Sequence, residues 1–532
     1  MTTDLPGAES EARPGTEAGP GGDESVHAWA PGVLVALHVA LAILVFEPTL
    51  FPGADAGHYM VLGEALREGL GFRDIQLPGS PLHAKFPPGY PVILAVAGWF
   101  GGLQLFKALS LAFAAGSVWL TYRIARALLG HWPALAAAGL FAVSPVLLDF
   151  SHRVLSEAAF TFLLLGMVAA TLDNRPVGAM ALGAAAAAFF TRTAGLALLA
   201  ALVVWALMDG SRRRLLVAAA VAAVCVLGWA IYQHLAQPSQ PGYLQQLIQE
   251  NPYVPEAGTV GLLDFPARAA RNLWRYVSSE YPGSYGFATL RRGTIAFTAV
   301  AGVLLSALTL WGWLRTAVES IRVTHLVVAL YIGLVLLWPP VWTDRRFLLP
   351  VLPLLTVFAA SGAMGIVDRV GRRWGSLACG LLVALVGSMA LMTSGASIPT
   401  RVACQVSFRA GQPCDRPQYR EFYAMARWAA VNTPEGAVIA NRSPATFFLF
   451  SRRQGDLYPY SRDDAEVIRG LDAMGADYVL VDRLSATTGL YLIPAVAANL
   501  ERFEVVHTIG GEEGTVLLRM LSIPRTASLA VP

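Results

Sequence analysis

Eleven apolar runs set the pattern of the chain, at roughly 29–47, 103–128, 133–150, 158–173, 177–190, 195–208, 215–233, 294–314, 324–340, 347–367 and 375–393. Most are near the length at which a helix spans the hydrocarbon core of a bilayer, about 18–20 residues. Short polar joints separate them. Those carrying Arg123 and Arg126, Arg175, Arg212 to Arg214, Arg315 and Arg322, and Arg369, Arg372 and Arg373 follow every second run. Basic residues in short joints stay on the cytoplasmic side, so one orientation satisfies all five. It puts the N-terminus in the cytoplasm and the C-terminal domain outside. The pattern predicts a mainly α, polytopic, multi-pass protein of the cell membrane, with about eleven transmembrane helices over 27–393 and outer loops at 48–102 and 234–293.

The pattern changes at both ends. Residues 1–26 are rich in Gly, Pro, Glu and Asp and almost free of large apolar side chains. Such a segment buries too little surface to offset its ordering entropy and reads as a disordered tail. Over 394–532 the long runs give way to short alternations, Ala437–Asn441 and Asp477–Asp482, and to helical patterns at 416–431 and 463–474. A small extracytoplasmic α/β domain is predicted there. Composition agrees with a membrane protein: 55% of residues are hydrophobic and 14% charged, against about 25% charged in soluble domains. A net charge of +3 with no basic tract interleaved with aromatics excludes a nucleic-acid partner. Of four cysteines, Cys404 and Cys414 fall outside and close together, so a disulfide is expected between them; Cys225 and Cys379 fall inside runs and read as packing residues.

The chemistry lies in charges that the orientation does not require. Lys85, Arg153, Arg192, Arg345 and Arg346 all fall at the outer surface, beside Asp55, Glu157 and Asp344. Ionisable groups at such positions are functional candidates. Each also has a structural reading. Asp55 opens a helical stretch with Tyr59, Leu62, Ala65 and Leu66 at helical spacing and reads as an N-cap. His58 shares its face. Lys85, in the proline-bound segment His83 to Pro91, reads as a snorkelling interfacial lysine. Glu157 suits the start of a helix by charge alone, and Asp344 suits a local ion pair with Arg345 or Arg346. Together, two acids and several cations on one face suit group transfer from a lipid phosphate: carboxylates deprotonate nucleophiles, and cations stabilise a phosphate as a bond to it breaks.

The order of these segments resembles the GT-C superfamily of polyprenyl-phosphate-sugar glycosyltransferases, in the bacterial dolichyl-phosphate-mannose-protein mannosyltransferase and aminoarabinose-transferase branch. The resemblance covers about 30–365. It rests on Asp55 followed by Tyr59, on K-F-P-P-G-Y-P from Lys85, S-P-V-L-L from Ser144, Ser156 with Glu157, T-R-T-A-G from Thr191, and R-R-F-L-L-P-V-L-P from Arg345. It implies a monosaccharide donor on a polyprenyl phosphate and a glycan, lipid or protein acceptor. Asp55 matches the family's catalytic acid, the general base of an inverting displacement, and Glu157 its second acidic position. Lys85 matches a phosphate-contacting lysine, with Arg192 and Arg345 or Arg346 as further phosphate contacts. His58, Tyr59, Tyr90 and Arg153 are the candidate substrate contacts. Some GT-C enzymes use a divalent metal; Asp55, Glu157 and His58 are then the candidate ligands for Mg2+ or Mn2+. The first loop has Asp-Ala-Gly-His where protein mannosyltransferases commonly carry Asp-Glu, which weakens the case for a protein acceptor. A flippase or transporter of lipid-linked substrates, or an inactive envelope-assembly protein, is the competing class. A transporter would place its charges near the bilayer midplane and often shows internal repeats; no repeat is visible here.

Overall fold

The computed structural model describes residues 29–172, 177–236, 242–287, 295–511 and 514–521. The expected tail at 1–26 and the joint residue Arg175 lie outside them. Each apolar run folds as helix: α1 Ala30–Leu44, α4 Leu103–Leu129, α5 His131–Ala142 with α6 Pro145–Phe150, α7 Ser156–Ala170, α8 Ala179–Thr191, α9 Leu196–Met208, α10 Arg212–Ala236, α14 Ile295–Glu319, α15 Val323–Leu336, α16 Leu352–Val370 and α17 Arg372–Arg409. The segments between runs, 48–102 and 234–293, add α2 Ala54–Arg67, α3 Gly89–Gly98, α11 Tyr243–Leu247, α12 Phe265–Arg275 and α13 Tyr281–Gly283. Among the described residues five helices are long and apolar enough to cross a membrane, namely α4, α10, α14, α16 and the stretch Arg373–Arg409 of α17. The other apolar helices of the bundle are shorter, between 10 and 17 residues.

Several runs are shorter as helices than the hydrophobic pattern suggested, and prolines account for it. The run 133–150 breaks at Ser144, which is extended (ψ 130°) and caps α6 by accepting a bond from the Leu147 N–H. Proline disfavours the α conformation in the residue before it and fits the first turn of a helix, so Ser144-Pro145 ends one helix and starts the next. The run 324–340 stops at Leu336, ahead of Pro339 and Pro340. The run 347–367 becomes helix only from Leu352, after a 3-10 turn at Arg345–Phe347. These interruptions put irregular backbone where the functional candidates lie. Elsewhere the bundle is tight: a Cβ on Gly312 of α14 would sit 1.8 Å from the Phe358 carbonyl oxygen of α16, the backbone approach that small residues permit between membrane helices.

The boundary expected at 394 falls inside α17. That helix runs on to Arg409 with Pro399 within it, about 57 Å at 1.5 Å per residue against a hydrocarbon core of about 30 Å. Its far end returns to the end of α1: Arg401 pairs with Glu47 at 2.5 Å, and Gln405 donates to the carbonyls of Ile43 and Phe46. Cys404 and Cys414 are disulfide-bonded. The α/β fold begins with α18 Pro417–Asn432, followed by α19 Pro444–Ser451, α20 Asp464–Ala473 and α21 Ile493–Ala498. Its sheet has four strands: β1 Ile439–Ala440, β2 Tyr478–Val481, β3 Phe503–Ile509 and β4 Thr515–Met520. They are ordered β1-β2-β4-β3, with β1 and β2 parallel and the other pairs antiparallel.

This domain docks on the segment 48–102. Ser443 Oγ donates to the Pro52 carbonyl at 2.9 Å, Gly455 N–H to the Gln76 carbonyl at 2.9 Å, and Arg452 pairs with Glu64 at 2.6 Å. Tyr423 donates to the Leu50 carbonyl. Gly57 of α2 lies against the backbone of α19: a Cβ there would stand 2.3 Å from Thr446 Oγ1 and 2.7 Å from Thr446 N. Gly57→Ala is expected to lower stability by about 1–3 kcal/mol, measured as a lower thermal midpoint in detergent. Gly228→Ala in α10, where no atom lies within 4 Å of the added Cβ, is the control and should not lower it, since alanine favours a helix over glycine.

Candidate active site

Four separate segments bring charged groups together. Asp55 lies in the first turn of α2 and Glu157 in the first turn of α7; Arg192 caps α8, and Arg346 sits in the 3-10 turn. Arg346 bridges the two acids, with Nη2 2.6 Å from Asp55 Oδ2 and Nε donating to Glu157 Oε1. Arg192 Nη1 is 2.7 Å from the same Glu157 oxygen and 3.0 Å from Ser156 Oγ. Ser156 Oγ is 3.0 Å from the Tyr59 hydroxyl. The result is an alternating series of charge: Asp55, Arg346, Glu157, Arg192.

The two carboxylates differ in access. The Glu157 side chain is 1% exposed and that of Asp55 28%. Glu157 is thus the internal holder of two guanidiniums, while Asp55 faces open space. The N-cap of α2 is Gly53, and Asp55 makes no cap bond, so the N-cap reading of Asp55 fails. Burial alone would raise the Asp55 carboxyl, but Arg346, Lys85 and Arg192 outweigh it and hold the group below the usual carboxylate range. Asp344 does not pair side chain to side chain with its neighbours; it caps the 3-10 turn by accepting the Arg346 N–H at 2.7 Å.

Lys85 is carried by a loop that His83 fixes. His83 Nε2 accepts the Phe86 N–H at 2.8 Å, which leaves Nδ1 to donate to Asp74 at 2.9 Å. From α10, Tyr232 and Gln233 donate to the carbonyls of His83 and Ala84 at 2.9 and 2.8 Å. Lys85 and Phe86 line one cavity of about 900 Å³ together with Asp55, Arg346 and Arg192, while Glu157 holds the two guanidiniums from behind its wall. His58, Tyr59, Lys85, Arg153, Arg192 and Arg346 all face it.

Two expected contacts lie elsewhere. Tyr90 is buried behind Tyr59, ring centroids 5.0 Å apart, away from the cavity wall. Arg345, next to Arg346 in sequence, turns the other way and donates to the Gly283 carbonyl at 3.4 Å. Arg153 reaches the cavity from its far end, paired with Asp149 at 2.8 Å. Asp55, Glu157 and His58 do not fit a metal-ligand set. Among the described residues no three His, Cys, Asp or Glu side chains cluster for one, and the two carboxylates converge on the Arg346 guanidinium.

The cavity also holds residues that the sequence reading passed over. Lys107 of α4, 2% exposed, donates to the carbonyls of Glu47 and Thr49. A lysine within a spanning run is itself a signal. His152, 3% exposed, has no hydrogen-bond partner on either ring nitrogen. Arg442, Asp456, Tyr458 and Tyr460 come from the C-terminal domain; nothing local in the sequence points to them, because only docking brings them there.

Replacing Arg346 leaves two carboxylates short of a cation. Breaking a buried pair from one side costs about 3–5 kcal/mol, so Arg346→Gln should lower the thermal midpoint clearly. Arg345→Gln loses a single bond and should cost about 1 kcal/mol or less. Equal effects would contradict the assignment of Arg346, rather than Arg345, to the acids.

No family model and no curated protein matches the sequence. Solved structures do match by fold. The oligosaccharyltransferase of Archaeoglobus fulgidus in its apo form is 13% identical, with a TM-score of 0.56 over 86% of this chain and 70% of that one. ArnT of Cupriavidus metallidurans bound to undecaprenyl phosphate is 15% identical, with a TM-score of 0.54 over 95% of this chain and 99% of that one. The mycobacterial arabinofuranosyltransferase AftD is 13% identical, with a TM-score of 0.51 over 94% of this chain but only 42% of its own length. With helices long and apolar enough to cross a membrane, the chain shares the fold of this oligosaccharyltransferase, of ArnT and of AftD.

Proposed function

We propose that the protein is a glycosyltransferase that moves a monosaccharide from a polyprenyl-phosphate donor to a glycan, lipid or protein acceptor at the outer face of the membrane. The observation that carries this reading is the series Asp55–Arg346–Glu157–Arg192, drawn from four segments, of which Asp55, Arg346 and Arg192 line a cavity of about 900 Å³. Undecaprenyl phosphate, to which the Cupriavidus structure is bound, is the lipid part of such a donor and has the chemistry the cavity suits: an anionic head for Lys85 and a long apolar tail for the bundle.

In this mechanism Asp55 is the general base. It takes the proton from the acceptor's hydroxyl or amine as that atom attacks the anomeric carbon. The bond from that carbon to the phosphate oxygen breaks, its electron pair leaves with the polyprenyl phosphate, and the configuration inverts. Lys85 and Arg346 stabilise the departing negative charge. Glu157 fixes Arg346 and Arg192 from the buried side and is a positioning residue. The charges gather at one end of the helices, beside interrupted backbone, an arrangement that favours interfacial chemistry over a transport path through the midplane.

Three outcomes test this. Asp55→Asn keeps size and hydrogen bonding but removes the base, so turnover should fall about 10²–10⁴-fold with donor binding retained; near-normal turnover would remove Asp55 from catalysis. The base works ionised, and its neighbours depress its pKa, so the acid limb of kcat/KM should fall below about pH 4, the ordinary aspartate value, rather than above it. For orientation, a phosphatase fused after Arg409 should be active outside the cytoplasm, and a fluorescent reporter fused after Arg212 should fold inside it. The reverse pattern would invert the proposed topology.

A further inference from the structure

In the ion-pair series two acids meet two guanidiniums, so their charges cancel and little positive charge is left for an incoming anion. Of the remaining wall cations, Arg153 is paired with Asp149 and Lys107 is held by the carbonyls of Glu47 and Thr49, which leaves two others. Lys85 comes from the first outer segment and Arg442 from the loop between β1 and α19; both line the cavity. Among the described residues neither makes a side-chain ion pair with a carboxylate, although Asp456 shares the wall and Asp482 bonds the Arg442 backbone. Arg442 Nε is buried without a hydrogen-bond partner, and its guanidinium stands 5.9 Å from the Tyr460 ring centroid. Burial lowers the Lys85 pKa; Asp55 and Asp74 oppose the shift, and Arg442 adds to it, as two like charges sharing a space would.

Arg442 is also held firmly. Asn441 Oδ1 accepts the Ser443 N–H at 2.9 Å, and Asn441 Nδ2 donates to the Ile439 carbonyl at 2.9 Å. Ser443 Oγ is bonded to the carbonyl of Pro52, three positions before Asp55. The loops carrying Arg442 and the candidate base are thus tied together directly. Two unpaired cations facing one cavity at low dielectric repel each other, and an anion between them relieves the cost.

We infer that Arg442 is a phosphate-binding residue, and that with Lys85 it brackets the phosphate of the lipid donor, so that the C-terminal domain completes the donor site. This rests on reading the cavity as a polyprenyl-phosphate site. An ammonium and a guanidinium suit this ligand, the first as a point charge and the second through paired N–H donors on two phosphate oxygens.

The test uses full-length protein in nanodiscs and two probes, undecaprenyl phosphate and the uncharged undecaprenol. Arg442→Gln should weaken undecaprenyl phosphate binding roughly 10- to 100-fold, the worth of one charge-assisted contact. Undecaprenol binding should not change, and Arg442→Lys should recover part of the loss. If Arg442→Gln does not fold, Arg442→Met, of similar length, takes its place. Undecaprenyl phosphate binding within twofold of wild type in the Gln or Met variant, with Lys85→Ala impaired, overturns the inference and reassigns Arg442 to the acceptor side. Equal loss for both probes overturns it too and marks a structural role. Wild-type protein that binds neither probe would instead sink the polyprenyl-phosphate reading itself, a result the variants cannot mimic.

Discussion

The guanidinium of Arg346, held between Asp55 and Glu157, is the contact on which the site depends. Moving these charges out of water is expensive, and an apolar cluster of equal volume would often be at least as stable. Such a series is therefore weak evidence of stabilisation and better evidence of work done on a ligand. It also couples parts that are remote in sequence. Asp55 and Arg346 are 291 positions apart, and their pairing requires the start of α2, the start of α7, the end of α8 and the turn before α16 to meet. A shift in any one would strand a charge.

The shortened helices make this meeting feasible. A continuous helix through Ser144-Pro145 or through Pro339-Pro340 would hold its polar backbone inside its own ladder. The breaks free backbone and side chains for the cavity, the one setting in which irregular chain is tolerated at membrane depth. Prolines at the outer helix ends thus act as site-building residues, although none of them touches the ion pairs.

Much of this was legible in the sequence. The alternation of arginines between runs isolates Asp55, Lys85, Glu157, Arg192 and Arg346 as charges that orientation does not demand; all but Glu157 line one cavity, and Glu157 is ion-paired behind its wall. The strands over 437–441 and 477–482 and the helices near 416 and 463 follow from periodicity. Other features depend on three dimensions. Arg345 and Arg346 are equivalent in sequence, and only the path of a 3-10 turn sends one to the acids and the other to Gly283. Tyr90 belongs to the same segment as Lys85 but lies one layer deeper. The length of α17 was hidden because hydropathy and helix propensity both fall near 394, at Ser394, Gly395, Ser397 and Pro399, where the helix nevertheless continues. Arg442 was invisible because its role comes from docking.

The long helix α17 has a mechanical meaning. It is the covalent route from the bundle to the C-terminal domain, and a helix of that length behaves as a stiff strut. Pro399 removes a rung of its hydrogen-bond ladder and is the natural place to bend. Yet Arg401 and Gln405, just beyond the proline, are anchored to the end of α1, and a disulfide ties Cys404 to Cys414. The bend is braced on its far side. A domain so braced is held over the cavity, and under the proposed function its lipid donor would enter sideways, between helices, rather than beneath a domain that swings aside.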